Sequence, residues 1–112
     1  HQPSLQWDLG ETRGTVAVRM PLHPVAIELL TETGPMAVTS ANLTGHPAPE
    51  NCDAAQDMLG DSVSVYLDGG PTPGIVPSSI VDVTGKVPVL LRAGALDADE
   101  LRKVVPDLEV AN

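Results

Sequence analysis

The chain contains no phenylalanine, and its only large aromatic side chains are Trp7 and Tyr66. Apolar residues still make up 42% of the sequence, so any core is built from Val, Leu and Ala. These side chains pack at close approach, but each buries little apolar area. The chain has 112 residues, and a domain usually takes roughly 100–200. We therefore expect a single small domain with an aliphatic core.

Charge and cysteine content exclude several classes of protein. Six Lys and Arg against fifteen Asp and Glu give a net charge of −9. This argues against direct binding of nucleic acid, which requires Lys and Arg to neutralise phosphates. The apolar runs are far shorter than the ~20 residues of a membrane span. Cys52 is the only cysteine, which excludes an internal disulfide or a thiolate zinc cluster and fits a reducing, cytoplasmic setting.

Short apolar segments separated by Pro and Gly predict alternating strands and helices. The predicted strands are 15–20, 35–39, 63–67, 79–83 and 87–92, and the predicted helices are 24–33, 52–59 and 98–105. Pro24 suits a first helical position, Asn51 a cap, and Asp97 with Glu100 a capping box. Interleaved strands and helices indicate an α/β or α+β fold with a mixed sheet.

The ends of the chain lack regular patterning. The chain starts at His1 without an initiator Met or an export signal, and residues 1–13 show no sustained periodicity. We therefore predict an irregular leading segment at 1–13, a folded portion at 14–105 and a tail at 106–112. This start favours a fragment or a processed chain, and a trimmed, naturally short protein is the alternative.

The turn Thr39-Ser40-Ala41-Asn42 directly follows a predicted strand. Small residues and hydroxyls at the carboxyl end of a strand let backbone N–H groups approach an anion closely. Ser and Asn are also ordinary turn formers, so a purely structural turn is the alternative interpretation.

Two of the six basic residues, Arg19 and Arg92, each lie at the end of a predicted strand. A buried guanidinium requires a partner, which is a carboxylate, a carbonyl or a bound anion; in this acidic chain a structural salt bridge is the default, and a bound phosphate or carboxylate ligand is the alternative. The segment Pro77-Ser78-Ser79 follows the Gly/Pro-rich loop 68–74 and opens a predicted strand; its hydroxyls either end a mobile cover and bind a substrate or face solvent. The three histidines are too dispersed to predict a metal site, and no pair of acids has the spacing of a general acid and base.

Five blocks in one order carry a more specific signal: Thr15–Pro21 (TVAVRMP), His23-Pro24, Thr39–Gly45 (TSANLTG), Pro77–Asp82 (PSSIVD) and Leu91–Gly94 (LRAG). Together they resemble the YrdC-like threonylcarbamoyl-AMP synthases over residues 14–105. The resemblance implies a mixed, twisted YrdC-like sheet with flanking helices, of which this chain holds the C-terminal portion.

The resemblance also implies a reaction. These nucleotidyltransferases make L-threonylcarbamoyladenylate from L-threonine, bicarbonate and ATP, with release of pyrophosphate, for the t6A modification of tRNA. ATP would carry Mg²⁺. The resemblance implicates Thr15 beside the nucleotide, Arg19 on the threonine carboxylate, Ser78 on threonine and Arg92 on the α-phosphate. It also places Thr39, Ser40, Ala41 and Asn42 in the shared pocket, where Thr39, Ser40 and Asn42 would contact both threonine and the ATP phosphates. Ser40 and Arg92 are the expected catalytic residues.

One part of the family pattern has no counterpart here. The basic block that grips ATP phosphates in the first half of the family domain matches nothing in this chain. We therefore expect a C-terminal half that is inactive alone and that associates with itself through its uncovered face. A non-catalytic YrdC-like module that binds nucleotide or RNA, and a structural remnant without ligand, are the alternative functions.

Overall fold

The computed structural model describes residues 10–74 and 76–112. They divide into two compact units: residues 10–16 with 76–112, called the sheet unit, and residues 17–74, called the helical unit. The elements are α1 (Pro24–Thr33), α2 (Cys52–Leu59), a 3₁₀ helix (Gly60–Ser62), β1 (Ile80–Asp82), β2 (Val89–Arg92), α3 (Ala98–Arg102) and β3 (Glu109–Val110). In the described part of the chain, no helix is long and apolar enough to cross a bilayer.

The sheet unit contains a three-stranded mixed sheet in the order β1-β2-β3. β1 runs antiparallel to β2, whereas β3 runs parallel to it and is reached through α3, because parallel neighbours require a crossover. The N–H groups of Glu109 and Ala111 donate to the carbonyls of Pro88 and Leu90, each at 3.0 Å. Helices with a mixed sheet confirm the predicted α/β class.

The apolar core lies in the sheet unit. Among the described residues only Leu90 and Leu108 are buried hydrophobics, at 2% and 4% exposure. Leu90 occupies the central strand, and Leu108 directly precedes β3. The sheet therefore packs around two aliphatic side chains, which agrees with a core that lacks large aromatics.

Local signals set the helix boundaries. α1 begins at Pro24, and the Asn51 side chain caps α2 by accepting from the N–H of Ala54 at 2.8 Å. Both helices have the predicted bounds. Asp97 and Glu100 form the predicted capping box of α3, but this helix ends at Arg102 instead of residue 105. Bonds of the i→i+3 type tighten its last turn, which ends the regular α-helical pattern.

Three predicted strands, at 15–20, 35–39 and 63–67, are not strands in the structure. No backbone hydrogen bond joins residues 17–22, 36–39 or 64–67 to the described residues. β-branched composition favours extended backbone, but a strand exists only where a neighbouring strand supplies hydrogen bonds. The predicted strands at 79–83 and 87–92 are confirmed in shorter form, and β3 lies beyond Pro106, where no strand is predicted.

Candidate active site

A register shift determines where Arg92 lies. Ile80 pairs with Arg92 but Val81 pairs with Leu90, so β2 has one extra residue, Leu91, at this step. In a regular strand Arg92 would share the face of the buried Leu90, because side chains alternate. Such a bulge breaks the alternation and redirects a side chain. Leu91 and Arg92 are accordingly both exposed.

The Arg92 guanidinium is held by a neutral group. Its Nε and Nη2 donate to the backbone carbonyl of Ser78 at 3.0 and 2.8 Å, and Nη2 lies 3.4 Å from the Ser78 hydroxyl. The only ion pair in the described part of the chain joins Arg102 to Asp99. No carboxylate among the described residues therefore pairs with Arg92, and its two Nη1 hydrogens have no partner there either. The structural salt bridge considered for Arg92 is therefore not formed with any carboxylate of residues 10–74 or 76–112.

Residues 77–79 and 92–96 form one tight contact, which we call the junction. The N–H of Ala95 donates to the Pro77 carbonyl at 3.0 Å. Gly94 has no space for a Cβ, which would collide with the backbone of Pro77 and Ser78. The Ser79 hydroxyl bonds to both Gly94 and Leu96. The junction therefore fixes the backbone on both sides of the Arg92–Ser78 pair.

The turn after residue 39 is closed by Asn42. Both Nδ2 hydrogens are used, on the carbonyls of Leu43 at 3.0 Å and His46 at 2.9 Å. The N–H of Leu43 also lies 3.2 Å from the Met58 sulfur, which ties the turn to α2. Because the amide nitrogen is occupied, only the Oδ1 acceptor of the half-buried Asn42 side chain is open to a ligand.

Thr39, Ser40 and Ala41 are exposed at the start of this turn. The two hydroxyls and the N–H of Ala41 make no hydrogen bond with other described residues. The turn therefore presents several donors to solvent, which is the property predicted for an anion-binding turn.

Arg19 and Thr15 differ in whether their side chains have hydrogen-bond partners among the described residues. Arg19 is exposed in the helical unit and has neither a carboxylate nor a hydrogen-bond partner in the described part of the chain. The structural salt bridge considered for Arg19 is therefore also not formed within these residues. Thr15, in the sheet unit, donates its hydroxyl hydrogen to the Thr12 carbonyl at 2.7 Å. Its oxygen remains available as an acceptor.

Two residues with shifted pKa values, Asp82 and Tyr66, are not among the predicted site residues. Hydrogen bonds from the Thr84 side chain and backbone lower the pKa of Asp82. Burial, followed by the charges of Asp61 and Cys52, raises the pKa of Tyr66, whose hydroxyl donates to the Gly60 carbonyl at 2.6 Å. Both shifts accompany local turn structure.

Among the predicted site residues, the structure shows direct contact between Ser78 and Arg92 in the sheet unit. Thr39, Ser40, Ala41 and Asn42 share one turn of the helical unit. Convergence of residues from the two units on one pocket stays a prediction. Sequence reasoning grouped Ser79 with Ser78 as a hydroxyl that binds a substrate or faces solvent, but in the structure the Ser79 hydroxyl bonds to Gly94 and Leu96 within the junction. The glycine of the Leu91–Gly94 block was the sequence signal for this close contact.

Comparison with known proteins identifies the family. The family model Sua5_yciO_yrdC, described as "Telomere recombination", matches residues 1–94. The chain belongs to the Sua5/YciO/YrdC family. This confirms the resemblance read from the five blocks.

Two relatives of the chain are named for the same activity. The chain is 56% identical over 103 residues to the "Putative threonylcarbamoyl-AMP synthase" of Mycobacterium tuberculosis H37Rv, covering 92% of this chain and 48% of that protein. It is 38% identical over 97 residues to the threonylcarbamoyl-AMP synthase of Bacillus subtilis, covering 86% and 28%. The chain therefore spans about half the length of its mycobacterial relative.

A solved family structure has the same fold. The crystal structure of P. abyssi Sua5 complexed with L-threonine is 36% identical, with a TM-score of 0.77 over 86% of this chain and 28% of that chain. The H234A/Y235A form of the same protein gives 0.79. These comparisons confirm the predicted fold of the Sua5/YciO/YrdC family.

Proposed function

We propose that this chain forms part of the active site of a threonylcarbamoyl-AMP synthase. The observation that carries the proposal is the Arg92 guanidinium, which is fixed on the Ser78 carbonyl while no carboxylate of the described residues neutralises its charge. Such a group is suited to an anionic ligand, because Arg presents a planar fork of donors to phosphate or carboxylate. Family membership, the names of the relatives and the threonine-bound P. abyssi structure support the proposal.

The proposed reaction has two steps. The amino nitrogen of L-threonine bonds to the carbon of bicarbonate and water leaves, which gives a carbamate. A carbamate oxygen then attacks the α-phosphorus of ATP, and the bond from that phosphorus to the pyrophosphate oxygen breaks. ATP enters with Mg²⁺ on its phosphates as part of the substrate. Both reacting groups are anionic, so fixed cations and N–H donors must offset their repulsion and hold the attack in line.

Arg92 is proposed to stabilise the α-phosphate. Its Nε and Nη2 are occupied by Ser78, so the open Nη1 edge would donate to a phosphoryl oxygen. The exposed Ser78 hydroxyl lies beside that edge and would bind threonine. The two groups that react would thus meet at one contact of the sheet unit.

The turn of the helical unit is proposed to bind both substrates through different atoms. The hydroxyls of Thr39 and Ser40 and the N–H of Ala41 would donate to phosphates. The Asn42 side chain offers only an acceptor, because Nδ2 is used within the turn. It would therefore accept from the threonine hydroxyl or ammonium, or from a ribose hydroxyl, and would not contact phosphate.

Arg19 and Thr15 complete the proposed set. Arg19, exposed and without a carboxylate partner in the described part of the chain, would pair with the threonine carboxylate. The Thr15 oxygen, whose hydrogen is already donated to Thr12, would accept a hydrogen bond from the nucleotide.

Calorimetric titration of the 112-residue chain with Mg·ATP and with L-threonine tests the proposal. Arg92→Ala should weaken ATP binding about 10- to 100-fold, the loss of one or two hydrogen bonds to a charged group. Arg102→Ala is the matched control, because Arg102 also donates to a carbonyl but is paired with Asp99. Equal heats for the wild type and Arg92→Ala would overturn the proposal.

We also propose that the chain alone does not complete the reaction. The chain spans about half of its mycobacterial relative, and the basic block implied by the family pattern has no match in it. Threonine-dependent pyrophosphate release should therefore stay at background when the 112-residue chain is assayed alone. Release above background would contradict this.

A further inference from the structure

The Ser79 hydroxyl is fully used inside the junction. It donates to the Leu96 carbonyl and accepts from the N–H groups of Gly94 at 3.1 Å and Leu96 at 3.2 Å. A serine hydroxyl has one hydrogen to donate and two lone pairs, so no capacity is left for a ligand. Ser78, one residue earlier, keeps its hydroxyl exposed and nearly free. The two adjacent serines therefore have different tasks.

The bonds of Ser79 connect the two ends of the Arg92 contact. The carbonyl that Arg92 grips belongs to the peptide group between Ser78 and Ser79. The groups that bond to the Ser79 hydroxyl lie in the turn that follows Arg92. The Ser79 hydroxyl thus links the peptide group that Arg92 binds to the backbone segment that follows Arg92.

The close approach at Gly94 makes this link short and stiff. A Cβ at Gly94 would collide with the backbone of Pro77 and Ser78, so the two segments touch backbone to backbone. Ala95 adds a direct bond to the Pro77 carbonyl. A small displacement of the 93–96 turn would therefore move the carbonyl on which the guanidinium rests.

We propose that Ser79 is a positioning residue that holds the Arg92 guanidinium, and with it the Ser78 hydroxyl, in the orientation that the phosphate ligand requires. Its consequence for ligand binding rests on the proposed function. The positioning itself does not, because it concerns the contact between Arg92 and Ser78 in the free chain.

The experiment compares Ser79→Ala and Ser79→Thr, with Ser64→Ala as a matched control. Ser64 is an exposed serine of the helical unit with no hydrogen bond to other described residues. The readouts are the water-exchange rates of the Arg92 Nε–H and of the Gly94 and Leu96 amides by NMR, and Mg·ATP affinity by calorimetry. Ser79→Ala should speed these exchanges and weaken ATP binding about 3- to 10-fold, the net effect expected from losing a hydrogen bond.

Ser79→Thr keeps the hydroxyl and should restore both readouts. The proposal is overturned if Ser79→Ala leaves the Arg92 Nε–H exchange unchanged, or if Ser79→Thr is as impaired as Ser79→Ala. Where Ser79→Ala does not fold, Ser79→Cys replaces it, since a thiol keeps the shape but bonds weakly; wild-type exchange at Arg92 in that variant would equally overturn the proposal.

The two proposals fail in different ways. If the wild-type chain binds no ATP, the nucleotide function fails, and the Arg92 Nε–H exchange still decides whether Ser79 positions the guanidinium. If the wild type binds ATP and Ser79→Ala binds it equally well with an unchanged Arg92 signal, only the positioning role fails.

Discussion

The sheet unit and the helical unit differ in how they satisfy their backbone hydrogen bonds and in how far they bury their apolar side chains. The sheet unit holds all three strands and both buried leucines of the described residues. The helical unit holds α1, α2 and the 3₁₀ helix, and none of its described residues is buried. Its apolar segments instead leave Val18, Val38 and Val65 between 69% and 82% exposed.

The difference follows from how helices and strands satisfy their backbone hydrogen bonds. A helix satisfies its backbone within one segment, so α1 and α2 form with little packing around them. A strand depends on a neighbour, and the apolar segments of the helical unit have none among the described residues. The sheet unit is therefore the better-packed region, and the predictions below test how far this contrast extends.

Hydrogen exchange should show the largest contrast. The amides of β2 should exchange at least ~100-fold more slowly than those of residues 17–22, 36–39 and 64–67, which lack backbone hydrogen bonds. Exchange measured by NMR or mass spectrometry at several protein concentrations checks this. Protection of residues 36–39 that grows with concentration would indicate strand pairing between copies, which is the predicted self-association.

Truncation of an apolar side chain should matter mainly in the sheet unit. Leu90→Ala should lower the free energy of unfolding by about 2–5 kcal/mol, because it removes a buried side chain and leaves a cavity. Leu67→Ala in the helical unit, 58% exposed in the wild type, should change it by less than about 0.5 kcal/mol. Urea unfolding measures both. Equal losses would show that the helical unit is packed in solution.

Removal of a helix cap should lower stability by a similar amount in both units, and by less than Leu90→Ala does. Asn51→Ala and Asp97→Ala each delete a side-chain acceptor for a backbone N–H, and each should cost about 1 kcal/mol of stability. Thermal unfolding with Asn51→Asp and Asp97→Asn as conservative controls measures this. A large loss for Asp97→Ala alone would mean that only the sheet unit contributes to cooperative unfolding.

The smallest expected effect is the pH dependence of stability that arises from Asp82, at the turn after β1. Thr84 lowers the pKa of Asp82 in the folded chain, so the carboxylate stabilises the fold above its unfolded pKa. That contribution is lost as the pH falls through the lowered folded value. The stability difference between wild type and Asp82→Asn should therefore shrink on acidification from pH 7, as followed by urea unfolding. A constant difference would exclude the linkage.

Local signals made the helices predictable from sequence. Pro24, Asn51 and the Asp97–Glu100 pair act within one turn of chain, and the observed starts of all three helices agree with them. Strands were harder to predict, because the composition of 35–39 or 63–67 cannot say whether a neighbouring strand is present. β3 was missed because two residues, Glu109 and Val110, carry no pattern of their own.

The candidate site was predictable to the level of residue types. Ser78 and Arg92 were nominated from their blocks, and the structure joins them. A carbonyl was among the partners considered for Arg92, but the salt bridge favoured by the abundant acids is not the one observed, and which carbonyl it binds was not predictable, since a carbonyl leaves no sequence signature. The three hydrogen bonds of the Ser79 hydroxyl were not predictable for the same reason, because they are made to the backbone of residues 94–96.

The extra residue in β2 makes the site sensitive to strand register more than to side-chain identity. Leu91 is exposed, and its replacement would leave Ile80 paired with Arg92. If Ile80 paired with Leu91 instead, the regular alternation would return and Arg92 would lie on the face of the buried Leu90. A shift of one residue in the strand pairing would thus move a cation from the exposed to the buried face of the sheet.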